Sequence, residues 1–197
     1  MFNASHGAAN SVADELELVG AVASGDADAF ERLYRMYEKR VFRYILGFVR
    51  DSALAEEVAA DSLLAVWYSA KTFERSSRLS TWILGIARHK AIDAARRSAR
   101  GARSTPLNEA AELIETASGP MDDAEARSVA RLTHRAFEHL SDEHREVLYL
   151  AFFEDVPYEE IALLLAVPEN TVKTRVHYAK RRLREHLEGL AHAGAIT

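Results

Sequence analysis

Between Ser104 and Ala126 the chain carries six acids (Glu109, Glu112, Glu115, Asp122, Asp123 and Glu125) and no base. Pro106 and the Gly119-Pro120 pair fall in the same stretch and break regular structure. Just before it, Arg88 to Arg103 holds six bases (Arg88, Lys90, Arg96, Arg97, Arg100 and Arg103) against one acid, Asp93. The acidic stretch reads as a linker between two domains, with a loop inside a single domain as the alternative. A length of 197 residues suits either one domain or two small ones. The division read here is 1–23, a tail with room for a first helix; 24–101, an N-terminal domain; 102–125, the linker; 126–190, a C-terminal domain; and 191–197, a tail.

Both domains read as helical, with no convincing alternating strand. Gly25-Asp26 looks like a stop followed by an N-cap. Behind it Phe30, Leu33, Tyr34, Tyr37, Val41, Tyr44, Ile45 and Phe48 form one apolar stripe at three- and four-residue spacing. Asp51 or Ser52 can cap the next helix, which runs through "LAEEVAADSLLAVW" to about Ala70. Ser80 is the expected cap of a fourth, with the stripe Leu79, Trp82, Ile83 and Ile86 followed by the basic block. In the second half a helix is expected near 124–140, and another capped by Ser141 with Asp142 and Glu143 in its first turn. A short helix follows Pro157 and a long one begins near Pro168. The fold class is all-α.

Composition narrows the chemistry. The chain has no cysteine, which removes disulfides, thiolate metal sites and cysteine nucleophiles together. No apolar run reaches membrane-spanning length, and "MFNASHGAAN" lacks the basic start and apolar core of a signal peptide, so a cytoplasmic protein without membrane insertion is expected. There is no HExxH, Gly-rich phosphate loop or nucleophile triad in a fitting context. His134, His139 and His144 recur every five residues, which does not align them on one helical face. Neither an enzyme, a metal nor a cofactor is expected. A net charge of −5 suits no bulk coating of DNA, so any nucleic-acid contact must be local.

The local candidate is "PYEEIALLLAVPENTVKTRVHYAKRRL", which has the layout of a helix-turn-helix with its turn at Ala166-Val167-Pro168. At ~100° per residue, the second helix places Val172, Val176, Ala179, Leu183 and Leu187 on one face. Thr174, His177, Tyr178 and Arg181 lie opposite. Lys173, Lys180 and Arg184 form one flank, Arg175 and Arg182 the other, and no acid interrupts Lys173 to Arg184. A polar strip flanked by cations fits base edges flanked by phosphates. The plainer reading is an amphipathic helix with a solvated basic face.

With these residues in view, "LSDEHREVLYLAFFEDVPYEEIALLLAVPENTVKTRVHYAKRRLREHL" resembles region 4 of the bacterial RNA polymerase sigma factors. "GDADAFERLYRMYEKRVFRYI", "AEEVAADSLLAVW" and "FERSSRLSTWILGIARHKAIDAARR" resemble region 2 of the same family. Two regions joined by a linker, with no region 3, resemble the extracytoplasmic-function (ECF) subgroup. The resemblance implies that Glu56, Glu57 and Asp61, with Leu64 or Trp67, dock on the clamp helices of the largest subunit of core RNA polymerase, though core packing is the favoured reading for Trp67. It implies that Ser76, Ser77 and Arg78 meet a base extruded from the −10 element, and that His89 bears on −10 preference. Arg88, Lys90, Arg96 and Arg97 would hold the phosphates of that element. Trp82 reads as core, with a stacking platform for a base as the alternative. For the −35 element it implies base reading by Lys173, Thr174, His177 and Tyr178, with Arg175, Lys180, Arg181 and Arg184 beside them. An anti-sigma factor is the implied regulator. The linker is either a tether or an imitation of a phosphodiester chain in a positive channel.

Two rival readings stay open. One is an autonomous helix-turn-helix regulator that binds duplex DNA unaided. The other is an interaction protein whose surfaces serve mainly for sequestration by a partner.

Overall fold

The computed structural model describes residues 12–101 and 139–192. The linker at 102–125, most of the helix expected near 124–140, and both chain ends lie outside the described residues. Those described contain no strand.

The N-terminal module is built on α2 (Ala27–Val49). Asp26 caps it, accepting the N–H groups of Asp28 and Ala29 at 2.9 and 3.1 Å. Gly25 precedes the cap at φ 92°, a conformation in which only glycine avoids a Cβ clash. The apolar stripe turns inward as its spacing requires: Leu33, Tyr37, Val41, Tyr44 and Ile45 are buried, while Phe30, Tyr34 and Phe48 pack at the margin. Helix α3 (Ser52–Ser69) is capped by Asp51, whose carboxylate accepts Leu54 N–H at 2.7 Å. It adds Ala55, Leu63 and Val66 to the core. A 3-10 turn (Ala70–Thr72) and a loop lead to α4 (Leu79–Gly101), which contributes Ile83, Leu84, Ala87 and Ala91. Each large side chain enclosed this way contributes about 1.5–3 kcal/mol. Helix α1 (Val12–Ala23) closes one side through Leu18, Val19 and Val22, and its Glu15 accepts the Tyr37 hydroxyl at 3.2 Å.

One expectation about α4 is corrected. The helix starts at Leu79, and Trp82 N–H bonds to the Arg78 carbonyl, so Arg78 occupies the cap position. Ser80 lies buried inside the first turn instead. The anionic group at this helix start is Glu160, which arrives from the other module and accepts Arg78 N–H at 3.2 Å.

The C-terminal module begins with α5 (Asp142–Leu148), capped by Ser141. It continues as a π-helical turn (Tyr149–Phe153), then α6 (Tyr158–Leu165) and α7 (Glu169–His192). Ala166 ends α6 in the left-handed region at φ 53°, ψ 46°. Its N–H bonds to Leu163 O and that of Val167 to Ala162 O, the paired closure of a Schellman turn. Val147, Leu148, Leu150, Ile161, Leu165, Val172, Val176 and Ala179 make the core. The two modules touch, α5 packing on α2 and α6 on α4.

Candidate nucleic-acid interface

Helix α7 divides as its periodicity predicts. Val172, Val176 and Ala179 are buried, and Leu183 and Leu187 are partly covered. Thr174, His177, Tyr178 and Arg181 face outward. Thr174 hydroxyl donates to Asn170 O at 2.8 Å, which leaves the oxygen lone pairs and the methyl group facing out. The Arg181 guanidinium lies 4.9 Å from the Tyr178 ring centre, and the His177 ring meets that ring edge-on at 5.7 Å. Tyr178 is 43% exposed, a large ring held in place without being buried. The flanks differ from each other. Lys173 pairs with Glu169 at 2.8 Å, Lys180 lies over the Phe152 ring at 4.3 Å, and Arg184 is exposed. Arg175 instead turns back to Glu143 on α5 at 3.0 Å, its side chain only 22% exposed, and fastens the two helices together.

The loop before α4 faces an open cleft of about 570 Å³. Ser76 is exposed and Ser77 half-covered, while Arg75 takes a left-handed φ of 59° that re-aims the chain here. Trp82 packs against Phe73, ring centres 5.3 Å apart, as core. Farther along α4, His89 and the basic block separate by environment. His89 is exposed, with Nδ1 2.8 Å from Gly85 O. Lys90 lies 3.9 Å from Asp61, Arg96 lies 3.9 Å from Asp93, and Arg97 is exposed. Arg88 is different. Its side chain is 22% exposed and its Nε–H donates to Glu146 at 2.7 Å. Glu146 also accepts the buried Tyr44 hydroxyl at 2.8 Å. Burial alone would lower the Arg88 pKa, but the bond to Glu146 and its charge outweigh that and raise it. Burial, with Glu146 adding to it, pushes the Tyr44 phenol well up.

On α3, Glu56, Glu57 and Asp61 are exposed, Leu64 is 47% exposed, and Trp67 is half-buried with its ring 5.0 Å from that of Phe30. Tyr68, 76% exposed and not singled out in the sequence, extends the line of Glu57, Asp61 and Leu64. Its four- and three-residue spacing was the signal for it. Arg40 and the carboxylates Glu146, Glu154 and Glu160 were missed as well. They find their partners only through contacts between the modules, which helical periodicity does not report.

No helix among the described residues is long and apolar enough to cross a membrane, and no cluster of three metal-ligating side chains occurs among them. Residues 33–101 match the sigma-70 region 2 family and residues 130–183 the sigma-70 region 4 family. The ECF RNA polymerase sigma factor SigL of Mycobacterium tuberculosis is 31% identical over 173 residues, spanning 87% of this chain and 96% of SigL. SigW of Bacillus subtilis, also an ECF RNA polymerase sigma factor, is 24% identical over 176 residues, 86% of this chain and 94% of SigW. The fold matches that of the sigma factor RpoE solved in complex with the anti-sigma factor NepR from Bartonella quintana. That match has a TM-score of 0.63 and 22% identity, and covers 81% of this chain and 96% of RpoE. With both regions present in order and relatives aligned along nearly their whole length, the chain belongs to the ECF RNA polymerase sigma factors.

Proposed function

We propose that the chain docks on the clamp helices of core RNA polymerase through α3 and directs initiation at promoters whose −10 and −35 elements it reads with α4 and α7. Glu56, Glu57, Asp61 and Leu64 supply the docking face, with Trp67 bracing it from within. Ser76, Ser77 and Arg78 receive an extruded −10 base, an arrangement favoured on strands that are already single. Arg88, Lys90, Arg96 and Arg97 hold the phosphates, and His89 biases the sequence. Lys173, Thr174, His177 and Tyr178 read −35 base edges, with Lys180, Arg181 and Arg184 on phosphates. Arg175 holds α7 in place for them. Residues 24–101 and 126–190 are the two working domains, 102–125 their tether, and the site of action is the cytoplasm. Control by an anti-sigma factor that covers these faces completes the proposal; the fold match to RpoE, solved with NepR, supports it.

The observation that carries the proposal is the division of α7. Thr174, His177 and Tyr178 stay exposed between cations while Val172, Val176 and Ala179 anchor the helix. The test is transcription from a library of genomic promoters with purified protein and core polymerase. Promoter-specific transcripts are expected. Absence of any transcript, with the protein alone footprinting an operator, would establish the autonomous regulator instead.

A further inference from the structure

Some of the contacts between the two modules fall on Arg78 and Arg88, two cations assigned to the −10 strand, and another on Arg40, which lines the same cleft as Ser76, Ser77 and Arg78. Arg88 is held by Glu146. The Arg78 guanidinium donates to Asp155 O at 2.8 Å, while Glu160 accepts both Arg78 N–H at 3.2 Å and the Thr81 hydroxyl at 2.5 Å. A third pair joins Arg40 to Glu154, with Nε–H donating at 2.8 Å. All three carboxylates come from the C-terminal module and all are covered: the side chains of Glu146, Glu154 and Glu160 are 9%, 4% and 14% exposed. A carboxylate so far removed from water depends on its partners.

Glu160 occupies a position built for an anion. The start of a helix presents unpaired N–H groups and the positive end of the macrodipole. A phosphate oxygen would make the same bonds to Arg78 N–H and Thr81 that the Glu160 carboxylate makes. The apolar part of the contact is equally specific. A Cβ at Gly85 on α4 would sit 3.3 Å from Leu164 Cδ1 on α6, tight enough that a side chain much larger than a methyl group would act as a wedge between the modules. The other working faces stay open. Leu64 and Tyr68 on α3 are exposed, as are Thr174, His177 and Tyr178 on α7.

We propose that this closed arrangement is an autoinhibited state in which Glu146, Glu154 and Glu160 stand in for promoter phosphates and occupy Arg78, Arg88 and the neighbouring Arg40, masking that part of the −10 surface of the same chain. The inference rests on the −10 role proposed above for Arg78 and Arg88. A polymerase docking on α3 meets no obstruction in this state, whereas a promoter strand does. Strand capture therefore requires the modules to separate first.

The absence of cysteine allows a single dye pair to be placed at Ala53→Cys and Gly189→Cys in the full chain. Two variants release the contact by different means: the triple change Glu146→Gln, Glu154→Gln and Glu160→Gln, and the wedge Gly85→Leu, which alters no charge. Both should lengthen the dye separation. Both should also tighten binding of a fluorescent random-sequence single-stranded DNA 12-mer by roughly 5- to 150-fold, the usual range of a coupling of this kind. The uncharged wedge separates unmasking from a simple loss of negative charge. Unchanged separation in both variants would overturn the closed state. Separation without tighter binding would overturn the masking, and promoter opening by Arg78→Ala and Arg88→Ala holoenzymes then locates the fault. Normal opening would place it in the −10 assignment, and impaired opening in the masking alone.

Discussion

Ala166 bends the helix-turn-helix at a backbone conformation that side chains avoid, and Ala166→Gly should therefore stabilise the C-terminal module. A Cβ at left-handed φ and ψ costs about 1–2 kcal/mol. Glycine removes that strain but gives the unfolded chain more freedom, a loss of about 0.5–1 kcal/mol. The Ala166 methyl is exposed, so little burial is forfeited, and the paired bonds to Leu163 O and Ala162 O are backbone bonds that glycine keeps. The net gain is about 0.5–1 kcal/mol. It is best read by amide hydrogen exchange at Val172 and Val176, which anchor α7 and exchange when the module opens. Exchange there should slow by about 2- to 5-fold, since each 1.4 kcal/mol is a factor of ten. Unchanged or faster exchange would show that the turn carries no strain of this size.

Other consequences follow from the same geometry. Lys180→Ala and Arg184→Ala should weaken −35 duplex binding by holoenzyme evenly across a randomised library and reduce its salt slope by about one each. Tyr178→Ala should instead change the preferred sequence; an unchanged preference would remove Tyr178 from base reading. Tyr68→Ala and Leu64→Ala should lower affinity for core polymerase with no fall in melting temperature, because both side chains face solvent. Alkaline pH should destabilise the fold. Burial, the largest cause in each case, raises the phenols of Tyr37, Tyr44 and Tyr149. Glu15, Glu146 and Glu154 add to it, and Arg40 beside Tyr37, Arg88 beside Tyr44, and Arg43 with Arg40 beside Tyr149 oppose it. A raised folded value means that the stability held by the neutral phenols is complete below the unfolded value of about 10 and is lost as pH climbs toward the folded one. Urea midpoints should therefore begin to fall above about pH 10, and less steeply in Tyr44→Phe; a midpoint flat to pH 11.5 would contradict the burial argument.

What could be read from the sequence was local. The stripe of α2, the caps at Asp26, Asp51 and Ser141, and the bend at Ala166 each depend on residues within one or two turns of each other, where spacing decides which face is buried. The exposed strip of α7 followed from the same rule. The failures share a different cause. Ser80 was assigned a cap because local chemistry favours serine there, yet Arg78 occupies that place and Glu160, 82 residues farther along the chain, accepts its N–H. Arg175 was counted with the outward cations until α5 supplied Glu143. The π-helical turn at Tyr149–Phe153 had no signature in "YLAFF", because an extra residue in a helical turn is set by how the flanking segments pack. Arg88 was legible as a cation, but its engagement with Glu146 was not, since any of the carboxylates in the second half could have met it.

The proposed sharing of Arg88 between Glu146 and a promoter strand carries an evolutionary constraint. Substitutions that strengthen this cationic surface for DNA also strengthen its hold on the carboxylates, so a lineage cannot improve one use of Arg88 in isolation. The carboxylates are the freer variables. Under the proposed masking, drift at Glu146, Glu154, Glu160 or Gly85 would reset how readily the chain enters transcription while leaving its promoter vocabulary intact.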